Sequence, residues 1–171
     1  DEVITGFRWG PGGAQDRFGI VPDMTTMAKI VAGGLPGGAV AGKHEIMDVL
    51  TFKDEPGWNK TKKVRHQGTF NANPMAAVAG TMAVTRCADP AIQEYCDRLA
   101  ARLRAGINAS LVRRGVPGFA WGESSAFHVA VGTAIPNQTG GDLRMPEGLS
   151  ATELINVNST PLDTKLHLGL M

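Results

Sequence analysis

The feature that most constrains this chain is a single lysine, Lys29, followed by a glycine-rich stretch. Five glycines fall within residues 33–42, directly after the apolar run that carries Lys29. Glycine lets the backbone approach a ligand closely and adopt positive φ angles at which other residues clash. A lysine beside such a loop can act as a counter-charge for a phosphate or as an amine nucleophile. The nucleophile hypothesis needs an acidic partner, and the opening Asp1-Glu2-Val3 supplies one.

Composition is typical of an ordinary globular protein with a core. The 171 residues are 43% apolar and carry a formal net charge of +1. Without a basic excess we expect no nucleic-acid partner, and without a long apolar stretch we expect no membrane span. Cys87 and Cys96 lie in helix-like sequence without metal-ligand spacing. We therefore expect no metal site, and a reducing, cytoplasmic environment.

The pattern of apolar residues and turn signals predicts alternating strands and helices. Strands are predicted at 1–5, 24–31, 39–42 and 126–132, and helices at 44–50, 75–87, 90–115 and from Thr160 onward. Asn73 and Pro74 have the residue types preferred at a helix start. The helix after them is small and apolar, so we expect it to be buried. Residues 51–67 are polar and basic and predict a surface excursion, and 133–160 a loop.

The helix predicted over 90–115 carries an apolar stripe at three- and four-residue steps, which is typical of a core-facing surface. Its members are Ile92, Cys96, Leu99, Leu103, Ile107 and Leu111. A domain boundary is expected where this helix begins, dividing the chain into 1–88 and 89–171. The first residue is not Met and the last residues are apolar, so we interpret the chain as the interior of a longer one.

Asp1 and Lys29 together match the needs of pyridoxal 5'-phosphate. That cofactor requires an amine for its Schiff base and a carboxylate that keeps its pyridine nitrogen protonated. Its phosphate requires backbone N–H groups and a hydroxyl, for which Thr69, just before the predicted helix start, is a candidate. The residues alone also leave open a plain strand acid and a surface lysine.

Four motifs in this order resemble the class III pyridoxal-phosphate aminotransferases, most closely the branch of glutamate-1-semialdehyde 2,1-aminomutase and its relatives. They are Asp1-Glu2-Val3-x-Thr5-Gly6-Phe7-Arg8, Gly13-Ala14-Gln15-x-x-Phe18-Gly19-Ile20-x-Pro22-Asp23, Lys29-Ile30-x-x-Gly33-Gly34-Leu35-Pro36-x-Gly38-Ala39 and Gly68-Thr69-Phe70-x-x-Asn73-Pro74. The resemblance is dense over residues 1–86 and loose beyond them. It implies an α/β fold, that of the fold-type-I transferases, with 1–88 in the large cofactor-binding domain and 89–171 in the linking helix and small α+β domain.

The resemblance also implies a role for each matching residue. Lys29 matches the Schiff-base lysine that also shuttles the proton, and Asp1 matches the carboxylate on the pyridine nitrogen. Val3 matches the apolar residue packed on the ring face. Gly68 and Thr69 match a phosphate-binding turn that reaches the partner subunit's cofactor. A homodimer with shared active sites and a small-molecule amino or oxo substrate is thereby implied.

Within the family, two activities stay open. The apolar Ile4 after Asp1-Glu2-Val3 and the Gly13-Ala14-Gln15 motif favour the aminomutase branch, which moves an amino group within one molecule. The basic stretch at residues 53–65 has the character of an insertion and weakens that assignment. The alternative is a transaminase that moves the group from an amino donor to an oxo acid or aldehyde.

Two hypotheses of other classes are weaker. Gly37-x-x-x-x-Gly42-Lys43 matches the first seven positions of a nucleotide-binding P-loop, but His44 follows where magnesium needs a Ser or Thr hydroxyl. The other hypothesis is a catalytically silent domain. It rests on the expectation that this chain by itself, without the residues upstream of Asp1 that complete the pocket, is inactive.

Overall fold

The computed structural model describes residues 1–135 and 139–157. The chain divides into two compact units between Gln93 and Glu94. The elements of the first unit are α1 (Gly13–Arg17), β1 (Met24–Ala28), a 3-10 turn (Lys29–Ala32), β2 (Gly38–Gly42), α2 (His44–Met47), a second 3-10 turn (Asp48–Leu50), a π-helical turn (Trp58–Lys62) and α3 (Pro74–Cys87). Then come α4 (Pro90–Arg114), which crosses the division, and β3 (Gly118–Glu123), β4 (Ala126–Val131) and α5 (Ala151–Asn156). The assignment of 1–88 and 89–171 to a large and a small domain stays a prediction.

An antiparallel hairpin of β1 and β2 places Lys29 at its end. Its register runs from Met24 opposite Gly42 to Ala28 opposite Gly38. The strand predicted at 39–42 is confirmed. The strand predicted at 24–31 ends early because Lys29 has a φ of 57°, which an extended strand does not accommodate. Residues Lys29–Ala32 turn into a 3-10 helix instead.

The predicted strand at the start of the chain is wrong, since residues 3–5 form a turn. The Gly6 N–H donates to the Glu2 carbonyl over 2.9 Å and closes that turn. The Glu2 N–H donates to the Thr26 carbonyl over 2.8 Å and attaches the turn to β1. Helix α1 follows this turn and was not predicted. Tertiary contacts therefore override the β-branched character of this segment.

Helix α3 begins as predicted and packs on the 3-10 turn after Lys29. The Asn73 Oδ1 accepts a hydrogen bond from the Ala76 N–H over 2.9 Å, and Pro74 occupies the first turn. Two glycines make the packing possible. A Cβ at Gly33 would lie 2.3 Å from the Ala79 carbonyl oxygen, and one at Gly80 would lie 2.4 Å from that of Val31. The glycines thus serve contact between backbones as much as any ligand.

The expected burial of α3 is wrong for the part of the chain that the structure describes. Gly80 is buried, whereas Met75 is 75% and Val78 67% exposed. The helix meets the rest of its unit along one side only, at the turn that follows Lys29. The small, apolar residues of α3 predicted a buried helix. They cover more of its surface than the contact with that turn buries.

The basic excursion is held together by its own side chains. The Trp58 Nε1–H donates to the Thr51 carbonyl over 2.9 Å, and the Lys53 ammonium lies 4.0 Å from the centre of the Trp58 ring. Lys53 also pairs with Asp48. The Asn59 side chain bonds to both backbone groups of Lys53. The segment is a surface excursion, as predicted, with a π-helical turn at its centre.

The second unit packs a hairpin of β3 and β4 under α4 and α5, with a core of Phe119, Ala130, Leu154 and Val157. Within this unit the buried positions of α4 include Ala100, Arg104 and Asn108, whereas Leu99 and Leu103 of the predicted apolar stripe are exposed. Strand β4 is confirmed, and β3 and α5 were not predicted. The helix expected from Thr160 lies outside the described residues.

Polar side chains on the buried face of α4 form hydrogen bonds with other parts of the second unit. The Arg104 guanidinium donates to Asp142 over 2.6 Å and to the Ser124 carbonyl over 2.9 Å. The Asn108 side chain bonds to both backbone groups of Ala120. Because these partners are distant in sequence, the periodicity of apolar residues selected the wrong face of the helix.

Replacing Gly80 with alanine tests the close contact of α3. Alanine normally stabilises a helix interior relative to glycine, but here its Cβ would meet the Val31 carbonyl. We expect Gly80→Ala to cost about 1–3 kcal/mol, as other overpacked sites do. Gly106→Ala in α4 is the matched control, since nothing lies within 4 Å of its added Cβ. It should gain about 0.5–1 kcal/mol. Thermal unfolding of the full-length protein measures both, and a stabilised Gly80→Ala variant would contradict the packing.

Candidate active site

Lys29 stands at the junction of β1 and the 3-10 turn with an exposed side chain. Its φ of 57° lies in the left-handed region, which costs a residue with a Cβ about 1–2 kcal/mol. Such strain persists where the surrounding structure imposes it, and it gathers at functional positions. At Lys29 the imposing structure is the hairpin on one side and the contact of Gly33 with α3 on the other.

The Asp1 carboxylate is anchored to the strand that leads to Lys29. Its Oδ1 accepts a 2.8 Å hydrogen bond from the Val3 N–H and a 3.3 Å bond from the Thr26 hydroxyl. Among the described residues, none donates to the other carboxylate oxygen. Thr26 lies three positions before Lys29. The structure therefore joins the segments that carry Asp1 and Lys29 through Thr26, as the site hypothesis requires.

Val3 is half-buried in the turn, and its N–H orients Asp1. Its predicted contact with a cofactor ring stays a prediction.

Gly68 and Thr69 lie in a different place, an exposed turn before α3. The Asn71 N–H donates to the Gly68 carbonyl over 3.0 Å, and Asn73 rather than Thr69 caps the helix. No described contact links this turn to Asp1 or to the Lys29 side chain. The structure thus joins Asp1 and Val3 to the strand that leads to Lys29, and it places Gly68 and Thr69 in a different segment.

A cleft of about 750 Å³ lies between the turn after Lys29 and the start of α3. Val31 and Ala32 line one side of it, and Asn71 and Asn73 line the other. Asp1, Lys29 and Thr69 do not line it. His66 also lines the cleft, but the acid and the amine that the site hypothesis needs lie outside it, so we place the candidate site at Asp1 and Lys29.

Glu2 belongs to the candidate site, although the sequence did not single it out. It is 6% exposed, and its carboxylate accepts hydrogen bonds from the Thr5 hydroxyl and from the N–H groups of Ala14 and Gln15. Burial alone raises the pKa of Glu2, but these hydrogen bonds outweigh burial and lower the pKa below its ordinary value. The ionised form therefore stabilises the fold at neutral pH, and this contribution is lost as the pH falls through the lowered pKa.

The P-loop hypothesis is wrong, because the five residues before Lys43 belong to a strand. Residues Gly38–Gly42 form β2 and pair with β1, so they do not form a loop around a phosphate. The Lys43 ammonium lies 2.6 Å from an Asp23 carboxylate oxygen instead.

The Asp1 carboxylate and the Lys29 amine fit two groups of pyridoxal phosphate. The free oxygen of Asp1 suits a single charged N–H donor, such as a protonated pyridine nitrogen. The exposed Lys29 amine suits an aldehyde carbon.

Comparison with known proteins shows the family to which this chain belongs. The profile described as Aminotransferase class-III matches residues 1–116, which is more than half of the chain. The chain belongs to the class-III aminotransferase family. The glutamate-1-semialdehyde 2,1-aminomutase of Sulfolobus acidocaldarius is 49% identical over 98 residues, which cover 57% of this chain and 21% of that protein.

Solved structures of the same fold also match this class-III aminotransferase chain. An omega-transaminase from Sphaerobacter thermophilus is 41% identical with a TM-score of 0.63, over 75% of this chain and 28% of that one. A transaminase with PLP bound is 25% identical with a TM-score of 0.63, over 91% of this chain and 40% of that one. The predicted α/β, fold-type-I class is confirmed. The chain spans about a fifth of the length of the aminomutase that it matches.

In the ranges 1–135 and 139–157, no helix is both long enough and apolar enough to cross a membrane.

Replacing Lys29 tests the strain at its backbone. Glycine adopts positive φ freely and alanine does not, so Lys29→Gly should be about 1 kcal/mol more stable than Lys29→Ala. Both variants remove the amine, and each is therefore the other's control for its loss. Thermal unfolding of the two full-length variants checks the difference, and an alanine variant as stable as the glycine variant would refute the strained conformation.

Proposed function

We propose that this chain forms the lysine-bearing part of an enzyme that transfers amino groups with pyridoxal phosphate. The observation that carries the proposal is the link through Thr26, which ties an anchored carboxylate, Asp1, to the strand that ends at the exposed Lys29. Membership of the class-III aminotransferase family supports it independently. The substrates are small molecules that carry an amino or oxo group.

Four groups of residues would hold the cofactor. The Lys29 Nζ would bind its aldehyde carbon, and the free Asp1 oxygen would accept a hydrogen bond from its protonated pyridine nitrogen. Val3 would pack on the ring. The Thr69 hydroxyl and the Gly68 backbone would bind the phosphate of the cofactor held by a partner subunit. When bound, pyridoxal phosphate supplies an electron sink that stabilises negative charge beside the substrate's amine carbon.

Lys29 has a second task once its amine is free. Its long, flexible side chain can reach more than one atom of a substrate. As a general base, the Nζ would take a proton from the amine-bearing carbon of the substrate. As a general acid, it would then deliver that proton to the former aldehyde carbon of the cofactor. Such proton transfer by a positioned side chain typically contributes about 10²–10⁴-fold in rate.

Asp1 acts through its charge. Its negative carboxylate, held at one oxygen by Val3 and Thr26, keeps a fixed position and needs no reorganisation when charge develops. A preorganised charge of this kind is worth more than the same group free in water. The anchoring oxygen and the functional oxygen are therefore different atoms of one side chain.

Gly68 and Thr69 support a homodimer. They lie on a turn with no described contact to Asp1 or to the Lys29 side chain, and the resemblance to the class-III family assigns this turn to the cofactor of a partner subunit. We propose that they complete the site of a partner subunit, and that the dimer is cytoplasmic. A monomeric holoenzyme would refute this part of the proposal.

Two reactions fit the site. The 49% identity with an aminomutase favours transfer within one molecule, and the 41% identity with an omega-transaminase favours transfer between molecules. We propose the aminomutase-like reaction and keep the transaminase as the second candidate. Turnover of glutamate-1-semialdehyde without an added amino donor would support the first, and a strict need for a separate amino donor and acceptor would support the second.

Substitutions at Lys29 and Asp1 test the mechanism in the full-length enzyme. Lys29→Ala should abolish turnover because the amine that binds and moves the proton is lost. Asp1→Asn keeps the shape but removes the charge, and should lower kcat by about 10²–10³-fold. Steady-state kinetics measure both.

Lys60→Ala is the matched control, since Lys60 is an exposed lysine of the basic excursion. It should keep wild-type turnover. Near-normal activity of Lys29→Ala, with the control also active, would contradict the proposed role.

A further inference from the structure

Glu2 is a buried acid whose hydrogen-bond donors lie within its own unit and are uncharged. The side chain accepts three hydrogen bonds, from the Thr5 hydroxyl, from the Ala14 N–H over 3.1 Å and from the Gln15 N–H over 2.7 Å. An acid buried in this way is costly unless it is well hydrogen-bonded, and here it is. All three contacts are with groups of the protein itself, so we look for a role of the Glu2 carboxylate other than ligand binding.

The backbone of Glu2 lies at the centre of the site. Its N–H donates to the Thr26 carbonyl, and its carbonyl accepts from Gly6 to close the turn. The preceding residue is Asp1, whose carboxylate is bound by the same Thr26 through its hydroxyl. Any movement of the Glu2 backbone therefore moves Asp1 relative to the strand that carries Lys29.

The side chain of Glu2 also holds this turn, through its contacts with α1. Ala14 and Gln15 belong to α1, and the Gln15 side chain accepts a 2.8 Å hydrogen bond from the Thr25 hydroxyl in β1. Gly13 allows the close approach, because a Cβ there would lie 2.8 Å from the Glu2 Oε2 and its φ is 73°. The side chain of Glu2 is thus held by α1, and its backbone is held by β1.

We propose that Glu2 is a positioning residue for Asp1: it locks the turn onto α1 and β1 so that the free Asp1 oxygen faces the cofactor's pyridine nitrogen. The inference rests on the proposed function, since it assigns Asp1 the role given above. Glu2 itself touches neither cofactor nor substrate. It acts through the placement of its neighbour.

Glu2→Gln is the direct test in the full-length holoenzyme. Glutamine has the same shape but replaces one accepting oxygen with an NH₂ group, which then faces a donor from Thr5, Ala14 or Gln15. We expect kcat to fall by about 10- to 100-fold, the cost of a small misplacement of a catalytic group, with KM nearly unchanged. Gly13→Ala, which displaces the Glu2 carboxylate without changing any charge, should act in the same direction.

A readout other than activity separates positioning from stability. With ¹⁵N-labelled pyridoxal phosphate, the nitrogen chemical shift reports whether the pyridine nitrogen is protonated. In both variants we expect the shift to move toward the unprotonated value, and cofactor affinity to fall. Asp16→Asn is the matched control, an exposed acid of α1 changed to its amide. It should leave the nitrogen shift and kcat at wild-type values.

The outcomes are distinct. A wild-type protein that binds no pyridoxal phosphate refutes the proposed function itself. A wild-type protein that binds it, with a nitrogen shift and kcat that Glu2→Gln and Gly13→Ala leave unchanged at temperatures where all are folded, overturns the positioning role. Variants that lose thermal stability and nothing else would overturn that role as well.

Discussion

The hydrogen bonds at Thr26 are the contacts on which the candidate site depends. The carbonyl of this one strand residue binds the Glu2 N–H and its hydroxyl binds the Asp1 carboxylate, and the same strand continues directly into Lys29. An acid and an amine that are far apart in sequence thereby become parts of one structure. The Glu2 side chain then holds the turn against α1, so the acid is fixed from two sides.

Close packing of the chain fixes the backbone of Lys29 in a similar way. Gly33 and Gly80 bring the turn after Lys29 against α3 at distances that leave no room for a Cβ. Overdetermined contacts of this kind can hold Lys29 in its left-handed conformation, at a cost of about 1–2 kcal/mol. The glycine-rich stretch therefore serves to place the backbone of Lys29, and α3 is the support against which it is placed.

Local signals predicted those elements whose causes are local. The Asn73-Pro74 helix start, β2 and the long helix α4 follow from capping, turn and periodicity rules, and the structure agrees. The first turn was mistaken for a strand because its shape is set by contacts with β1. Two of the hydrogen-bond donors to Glu2 come from residues 14 and 15, a pairing that no local pattern encodes. The buried face of α4 was missed for the same reason, since Asp142 and Ala120 satisfy Arg104 and Asn108 from a distance.

The most direct test of the central claim is to find which lysine holds the cofactor. The full-length protein is loaded with pyridoxal phosphate and reduced with borohydride, which makes the bond to the lysine permanent, and the labelled peptide is mapped by mass spectrometry. The account predicts that the label lies on Lys29 and is absent from Lys43 and from the lysines of the basic excursion. A label on any other lysine, or none at all, would contradict it.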